Sequence, residues 1–148
     1  MSLNIRAIYA DIAALSITDV KRILDVTDNP AALTDRDLPA IIPDPGNLQS
    51  GLTPGMATFN SGMWTVESTL NYLYIHASVG AGRGLQDQFP AMLTNKDAIF
   101  TALAGMNTDA DYDIVNFGIP NMNGVTDAAG TQYIGFPLTV TVRERINP

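Results

Sequence analysis

The stretch Met63-Trp-Thr-Val-Glu-Ser-Thr-Leu-Asn-Tyr-Leu-Tyr-Ile-His-Ala-Ser-Val79 decides how this chain folds. It alternates with a period of two: Trp64, Val66, Leu70, Tyr72, Tyr74 and His76 fall on one face, while Thr65, Glu67, Thr69 and Asn71 begin the other. Successive side chains of a strand point to opposite faces, so the pattern predicts one long strand with a buried side. The second face turns apolar at Leu73 and Ile75. That end is therefore expected to reach beyond its own domain or to pack against a neighbour.

Before this strand, Pro45 to Gly62 holds four Gly and two Pro with no period, and reads as a long loop. From Pro45 to Gly82 the only charged residue is Glu67. Further towards the N-terminus, Ile5, Ile8, Ile12 and Leu15 recur at helical spacing, which predicts an opening helix over Leu3 to Leu15 capped by Ser2. Val20 to Val26 alternates as a partly buried strand. Asp28-Asn29-Pro30 is a turn leading into one helical turn at Ala31 to Leu33, and Leu38 to Ile42 is a second short strand. Pro39 and Pro43 are expected to confine that strand to a sheet edge, because proline cannot donate to the ladder.

After the long strand, Leu85, Phe89, Met92, Leu93, Lys96, Ile99, Phe100 and Leu103 fit a second helix. Pro90 and Thr94-Asn95 suggest that its first turns are separate, with Thr94 capping the main helix, Asp97 in its first turn and Gly105 as its stop. Tyr112 to Phe117 predicts a strand, followed by a loop from Gly118 to Gly130. In the last strand Ile134, Phe136, Leu138, Val140 and Val142 face inwards, and Thr139, Thr141, Arg143 and Arg145 face out. This order predicts a single α+β domain over residues 1–148, with a mainly antiparallel sheet and two helices packed on one face.

Composition narrows the function classes. The 148 residues are 46% apolar and 16% charged, enough for a real core. Acids outnumber bases 15 to 8, giving a net charge of −7, so adhesive binding to nucleic acid is not expected. Glu67 and Glu144 are the only glutamates; the other acids are aspartates, which favour turns and caps over long helices. No apolar run approaches the ~18 residues of a membrane span, and no secretory signal opens the chain. With no cysteine there is no disulfide, thiolate nucleophile or Cys-based zinc site.

Several local patterns have chemical readings. Gly80-Ala-Gly82-Arg-Gly84 lies between a strand and a helix, but it is one residue short of a dinucleotide fingerprint and lacks the Lys and Ser/Thr of a P-loop, so it reads as a connection. Asp109, Asp111 and Asp113 open like a calcium loop. Ile114 then stands where Gly is required and Pro120 where a bidentate Glu is required, so the acids read as turn and strand residues. His76 is the only histidine, which leaves no second His for a metal helix, and no G-x-S-x-G elbow exists to expose a nucleophilic serine. Glu67 has no second Glu nearby to act with it. Phe59, Trp64, Tyr72 and Tyr74 are aromatic with no bases interleaved, which fits core or subunit contact better than a nucleic-acid platform. No catalytic, cofactor-binding or metal-ligating residue is assigned.

Leu33-Thr34 and the run Leu38-Pro-Ala-Ile-Ile-Pro-Asp-Pro45, following the short helix and the Val20 to Val26 strand, resemble the opening of bacteriophage tail terminator and head-tail joining proteins. The likeness covers most of the chain as element order, and only the Leu-Pro-x-Ile-x-Pro-x-Pro run as a motif. The resemblance implies a tail-terminator-like fold and a structural virion protein without catalytic residues or cofactors. It would form a homo-oligomeric ring, commonly of six, that caps the tail tube and joins it to the head. Its partners would be copies of itself, the tail tube protein and a neck or head completion protein. DNA would be only cargo in the lumen, and no membrane is involved. The particle's neck or tail, assembled in the host cytoplasm, is the implied location.

On that expectation Phe59, Trp64, Tyr72 and Tyr74 would contribute to a subunit or partner interface, and Asp35, Asp37, Asp109, Asp111 and Asp113 would line an acidic lumen that does not retain phosphates. The alternatives are another neck component, a carbohydrate- or ligand-binding module built on Trp64, Tyr72 and Tyr74, and a hydrolase using Glu67 or His76.

Overall fold

A computed structural model describes residues 5–25, 38–44, 55–58, 64–78, 85–106, 112–120, 125–126 and 132–146. In chain order the elements are helix α1 (Ile5–Ala13), strands β1 (Arg22–Ile23), β2 (Ala40–Pro43), β3 (Gly55–Thr58) and β4 (Trp64–Ser78), helix α2 (Leu85–Gly105), and strands β5 (Tyr112–Gly118), β6 (Val125–Thr126) and β7 (Gln132–Ile146). The fold is α+β with a mainly antiparallel sheet, as the alternation predicts.

Two strands of 15 residues form its spine. β4 and β7 pair antiparallel from Trp64 opposite Ile146 to Ser78 opposite Tyr133. The outer edge of β4 is shared by β3, opposite residues 64–67, and β2, opposite residues 72–75. The outer edge of β7 is likewise shared by β6 and β5. β1 adds to β2 in parallel, and the main order runs β1-β2-β4-β7-β5.

The two faces follow from the period-two alternation. Leu70, Tyr72 and Tyr74 of β4 and Phe136, Leu138, Val140 and Val142 of β7 join Ile8, Tyr9 and Ile12 of α1 and Met92, Ile99 and Leu103 of α2 in one buried cluster. Both helices thus cover the same face. Each large apolar side chain withdrawn from water here contributes about 1.5–3 kcal/mol before entropy is counted. On the opposite face, at the end of the sheet carrying β2 and β6, a second cluster joins Leu24, Leu38, Ala40, Ile42, Leu73, Ile75, Val125 and Tyr133. Leu73 is 5% exposed and Ile75 0%, so the doubly apolar end of β4 is buried within the chain itself and needs no neighbour.

Several local expectations are corrected. β2 is not an edge strand, since β1 lies beside Ala40 and Ile41. The prolines end that pairing instead: Leu24 N–H donates to Ile41 O at 2.9 Å, and the next bond of the parallel ladder would need an N–H on Pro43. β1 is correspondingly only Arg22–Ile23, shorter than Val20 to Val26. α2 is continuous from Leu85 through Pro90 to Gly105, so Thr94 is not a cap. Its hydroxyl donates back to Pro90 O at 3.2 Å, and Asn95 turns into the core. Gly55–Thr58 is a strand inside the stretch read as a loop, and Val125–Thr126 is another within the Gly118 to Gly130 loop. The Ser2 cap, the Asp28-Asn29-Pro30 turn, the turn at Ala31 to Leu33 and the Gly80 to Gly84 segment lie outside the described residues.

Candidate functional site

The side chains with chemical capacity gather in three places. The first is a hydrogen-bonded relay between β4 and α2. Asn95 Nδ2 donates to Tyr74 Oη at 2.7 Å, Tyr74 Oη meets His76 Nδ1 at 2.7 Å, and His76 Nε2 meets Gln88 Oε1 at 3.0 Å. A carbonyl oxygen only accepts, so Nε2 carries the imidazole hydrogen and Nδ1 accepts from the tyrosine hydroxyl. The sheet creates this geometry through a bulge. Ile75 opposes Gly135 and Ala77 opposes Ile134, leaving His76 as the extra residue of β4. Burial pushes the Tyr74 hydroxyl up to about 12, against the lowering effect of the Asn95 bond and with a raising contribution from Asp19. Burial lowers the His76 imidazole from its ordinary value, partly offset by its bond to Gln88.

The second place lies between α1 and β4, where the Tyr9 and Tyr72 rings stand 5.6 Å apart. Both hydroxyls are buried without a hydrogen-bond partner among the described residues. Burial raises the Tyr72 hydroxyl well above its usual range, with smaller contributions from Tyr9 and Asp25. Two buried phenols that resist ionisation are poor acid–base catalysts near neutral pH.

The third is the polar end of the outer sheet face. Arg143 Nη2 and Nε both donate to Glu67 Oε1, at 2.8 and 3.1 Å, and Arg145 donates to Asp113 Oδ2. The Thr69 and Thr141 hydroxyls meet at 3.4 Å on the next cross-strand pair of this face. Opposite charges facing across strands stabilise pairing, so these carboxylates are engaged in holding register. A groove of about 430 Å³ beside the Ser16–Thr18 turn holds one carboxylate, Asp97, which is paired with Lys96 at 2.8 Å.

The candidate interface aromatics separate on this geometry. Tyr72 and Tyr74 are 1% and 0% exposed, so neither can offer surface to a neighbour or a sugar; they are core residues under the helices. Phe59 and the Trp64 side chain lie outside the described residues. Of the acids expected along a lumen, Asp35, Asp37, Asp109 and Asp111 also lie outside them. Asp113 is half-buried on the outer sheet face and neutralised by Arg145, so it adds no unopposed negative charge there. Among the described residues no group of three or more His, Asp or Glu could hold a metal ion. No described helix is long and apolar enough to cross a membrane.

Sequence reasoning missed the surface features. Large exposed apolar side chains among the described residues are Phe89 and Leu93, each 37% exposed on α2, and Val115, 39% exposed on β5. Phe89 and Leu93 are four apart, so they lie together on one helix face. Val115 is displaced by the β5 bulge between Ile114 and Asn116. A count of outward-facing apolar positions on α2 would have found the first pair; the bulge leaves no such signal in the sequence.

No family model matches the chain, and no curated protein matches it. Fold and geometry define an α+β domain whose described titratable side chains are mostly engaged in structural bonds.

Proposed function

We propose that this protein is a structural, non-enzymatic virion subunit: a tail terminator that forms a ring, caps the tail tube and joins it to the head-neck connector, with DNA passing through the lumen. The observation that carries the proposal is the presence of exposed apolar side chains on two separate elements of one chain, Phe89 with Leu93 on α2 and Val115 on β5, the strand that ends the sheet order. A closed ring is built from heterologous contacts, in which one patch of a subunit meets a different patch of the next. A helix face and a terminal strand supply such a pair. The net charge of −7 also suits a ring that DNA must traverse without sticking. On this reading the partners are further copies of the chain, the tube protein and a neck protein, and the ring sits in the particle's neck after assembly in the host cytoplasm.

Native mass spectrometry across a concentration series tests the proposal. A ring gives a discrete species at a fixed multiple, expected to be six, of the 15.8 kDa subunit. Phe89→Asp with Leu93→Asp should leave a folded monomer. A chain that stays monomeric at every concentration, or a ring untouched by the double substitution, would overturn the reading.

A further inference from the structure

The Asn95, Tyr74, His76 and Gln88 bonds form a one-way chain in which each group has a single hydrogen arrangement. Asn95 Nδ2 donates to the Tyr74 oxygen, Tyr74 O–H donates to His76 Nδ1, and His76 Nε2–H donates to Gln88 Oε1. Tyr74 is 0% exposed, Asn95 4%, and His76 half-buried, so water cannot readily replace a lost partner at the inner end. The chain fastens the first half of α2 to β4 at both Gln88 and Asn95. Among the described side chains of this half, Met92 and Asn95 are buried, while Phe89, Pro90, Ala91, Leu93 and Thr94 are exposed. The second half is held by Ile99 and Leu103 in the core and by Phe100 against Phe117, with ring centroids 4.5 Å apart.

We propose that this relay is a proton-operated latch, holding the first half of α2 against the sheet while His76 is neutral and releasing it when His76 takes a second proton. A proton on Nδ1 turns that acceptor into a donor facing another donor. The Tyr74 oxygen can turn to accept from it, but its own hydrogen then meets the donating Nδ2 of Asn95, and the Asn95 bond is lost with it. A buried donor left without a partner costs more than the bond it replaces gains, so the pair separates.

The surroundings of the imidazole favour this response. Its own strand presents Tyr74, α2 presents the neutral Gln88 and Asn95, and β7 presents Gly135 and Ile134 beside the bulge. Among the described residues the carboxylate whose charge registers on the relay is Asp19, which acts on Tyr74 rather than on the imidazole. No described acid therefore compensates the imidazolium. The sign follows: the folded chain binds the proton less readily than the unfolded chain, so the latch is intact above the ordinary imidazole value of 6.5 and is lost as pH falls below it.

His76 is the only histidine, so its ring is read without ambiguity by long-range proton–nitrogen NMR. The intact chain should show the Nε2–H tautomer at pH 8 and a titration midpoint below 6.5. Hydrogen exchange of residues 85–96, corrected for intrinsic rates, should rise roughly tenfold relative to residues 97–105 across that midpoint, the loss of about one net hydrogen bond. Gln88→Glu places a carboxylate on Nε2–H, should raise the midpoint by about one pH unit and, because the latched form then takes the proton more readily, should shrink or abolish the pH-driven opening. His76→Phe should remove the transition and leave residues 85–96 equally open at every pH. An Nδ1–H tautomer at pH 8, exchange that ignores the His76 titration, or an opening that is undiminished when Gln88→Glu raises the midpoint would each overturn the latch. Because Gln88→Glu retains the histidine and its packing, it decides the matter even if His76→Phe fails to fold.

Discussion

Replacing Gly135 by Ala tests the packing of the spine. Gly135 sits opposite Ile75 where β7 crosses the bulge in β4. A Cβ at this position would overlap the Tyr74 carbonyl oxygen and lie 3.1 Å from both Ile75 Cα and the Tyr74 carbonyl carbon. Carbon atoms pack at about 3.5–4.0 Å, so the backbone of β4 must move away from β7. The atoms in the way are backbone, and a backbone cannot swing aside as a side-chain tip can. Separation weakens about two ladder bonds at ~0.5–1.5 kcal/mol each and disturbs the Tyr74–Phe136 ring pair, a repacking worth a further ~1–3 kcal/mol. Those rings lie 4.6 Å apart and both are 0% exposed. The expected cost is about 2–6 kcal/mol, which lowers the midpoint of thermal unfolding by roughly 5–20 °C in a domain of this length. Urea unfolding followed by circular dichroism, with the slope compared between variants, measures it. A Gly135→Ala protein within 1 kcal/mol of wild type would refute the claim that space at Gly135 sets the approach of the two long strands.

Tyrosines two positions apart should answer the same substitution in opposite ways. Tyr72→Phe removes a buried hydroxyl without a described partner and should be neutral or stabilising by up to about 1 kcal/mol, whereas Tyr74→Phe strands Asn95 and should cost about 1–3 kcal/mol, both read by urea unfolding. Because the Tyr74 hydroxyl is held near 12 in the fold, its contribution to stability is present below the ordinary value of 10 and lost as pH rises towards 12; an ultraviolet titration of the five tyrosines should show it still protonated at pH 11 while the chain stays folded. The Glu67–Arg143 pair, with side chains 46% and 38% exposed, should contribute at most about 1 kcal/mol in a double-mutant cycle, and that coupling should fade in ~1 M salt.

Much of the sheet was legible because alternation is a local property. Leu70, Tyr72 and Tyr74 of β4 and the inward row from Ile134 to Val142 of β7 can be assigned to a face from spacing alone, and the structure buries both rows in one cluster. Errors arose where local and distant signals conflict. Pro90 and Thr94-Asn95 are poor helix formers and read as a break. The helix continues because Thr94 bonds back to Pro90 O and Asn95 finds Tyr74, a residue 21 positions away. Tyr72 and Tyr74 read as interface residues because an alternating aromatic row looks the same whether α1 and α2 or a neighbouring subunit covers it. β3 and β6 are too short to show a period, and they exist because the long strands leave edge positions to fill.

The sequence by itself determined the class of fold, the inward row of β7, the lack of thiol chemistry and the acidic balance, since each depends on residue identity or on neighbours a few positions apart. Only the tertiary structure decided what each row faces. It turned the aromatic row into core, showed that β4 is enclosed by its own chain, paired Asp113 with Arg145, and drew His76 into a relay with α2. Those outcomes depend on contacts between distant residues, 76 positions apart in the Glu67–Arg143 pair and 101 in the Asp11–Tyr112 bond, and no local pattern encodes which distant surface arrives.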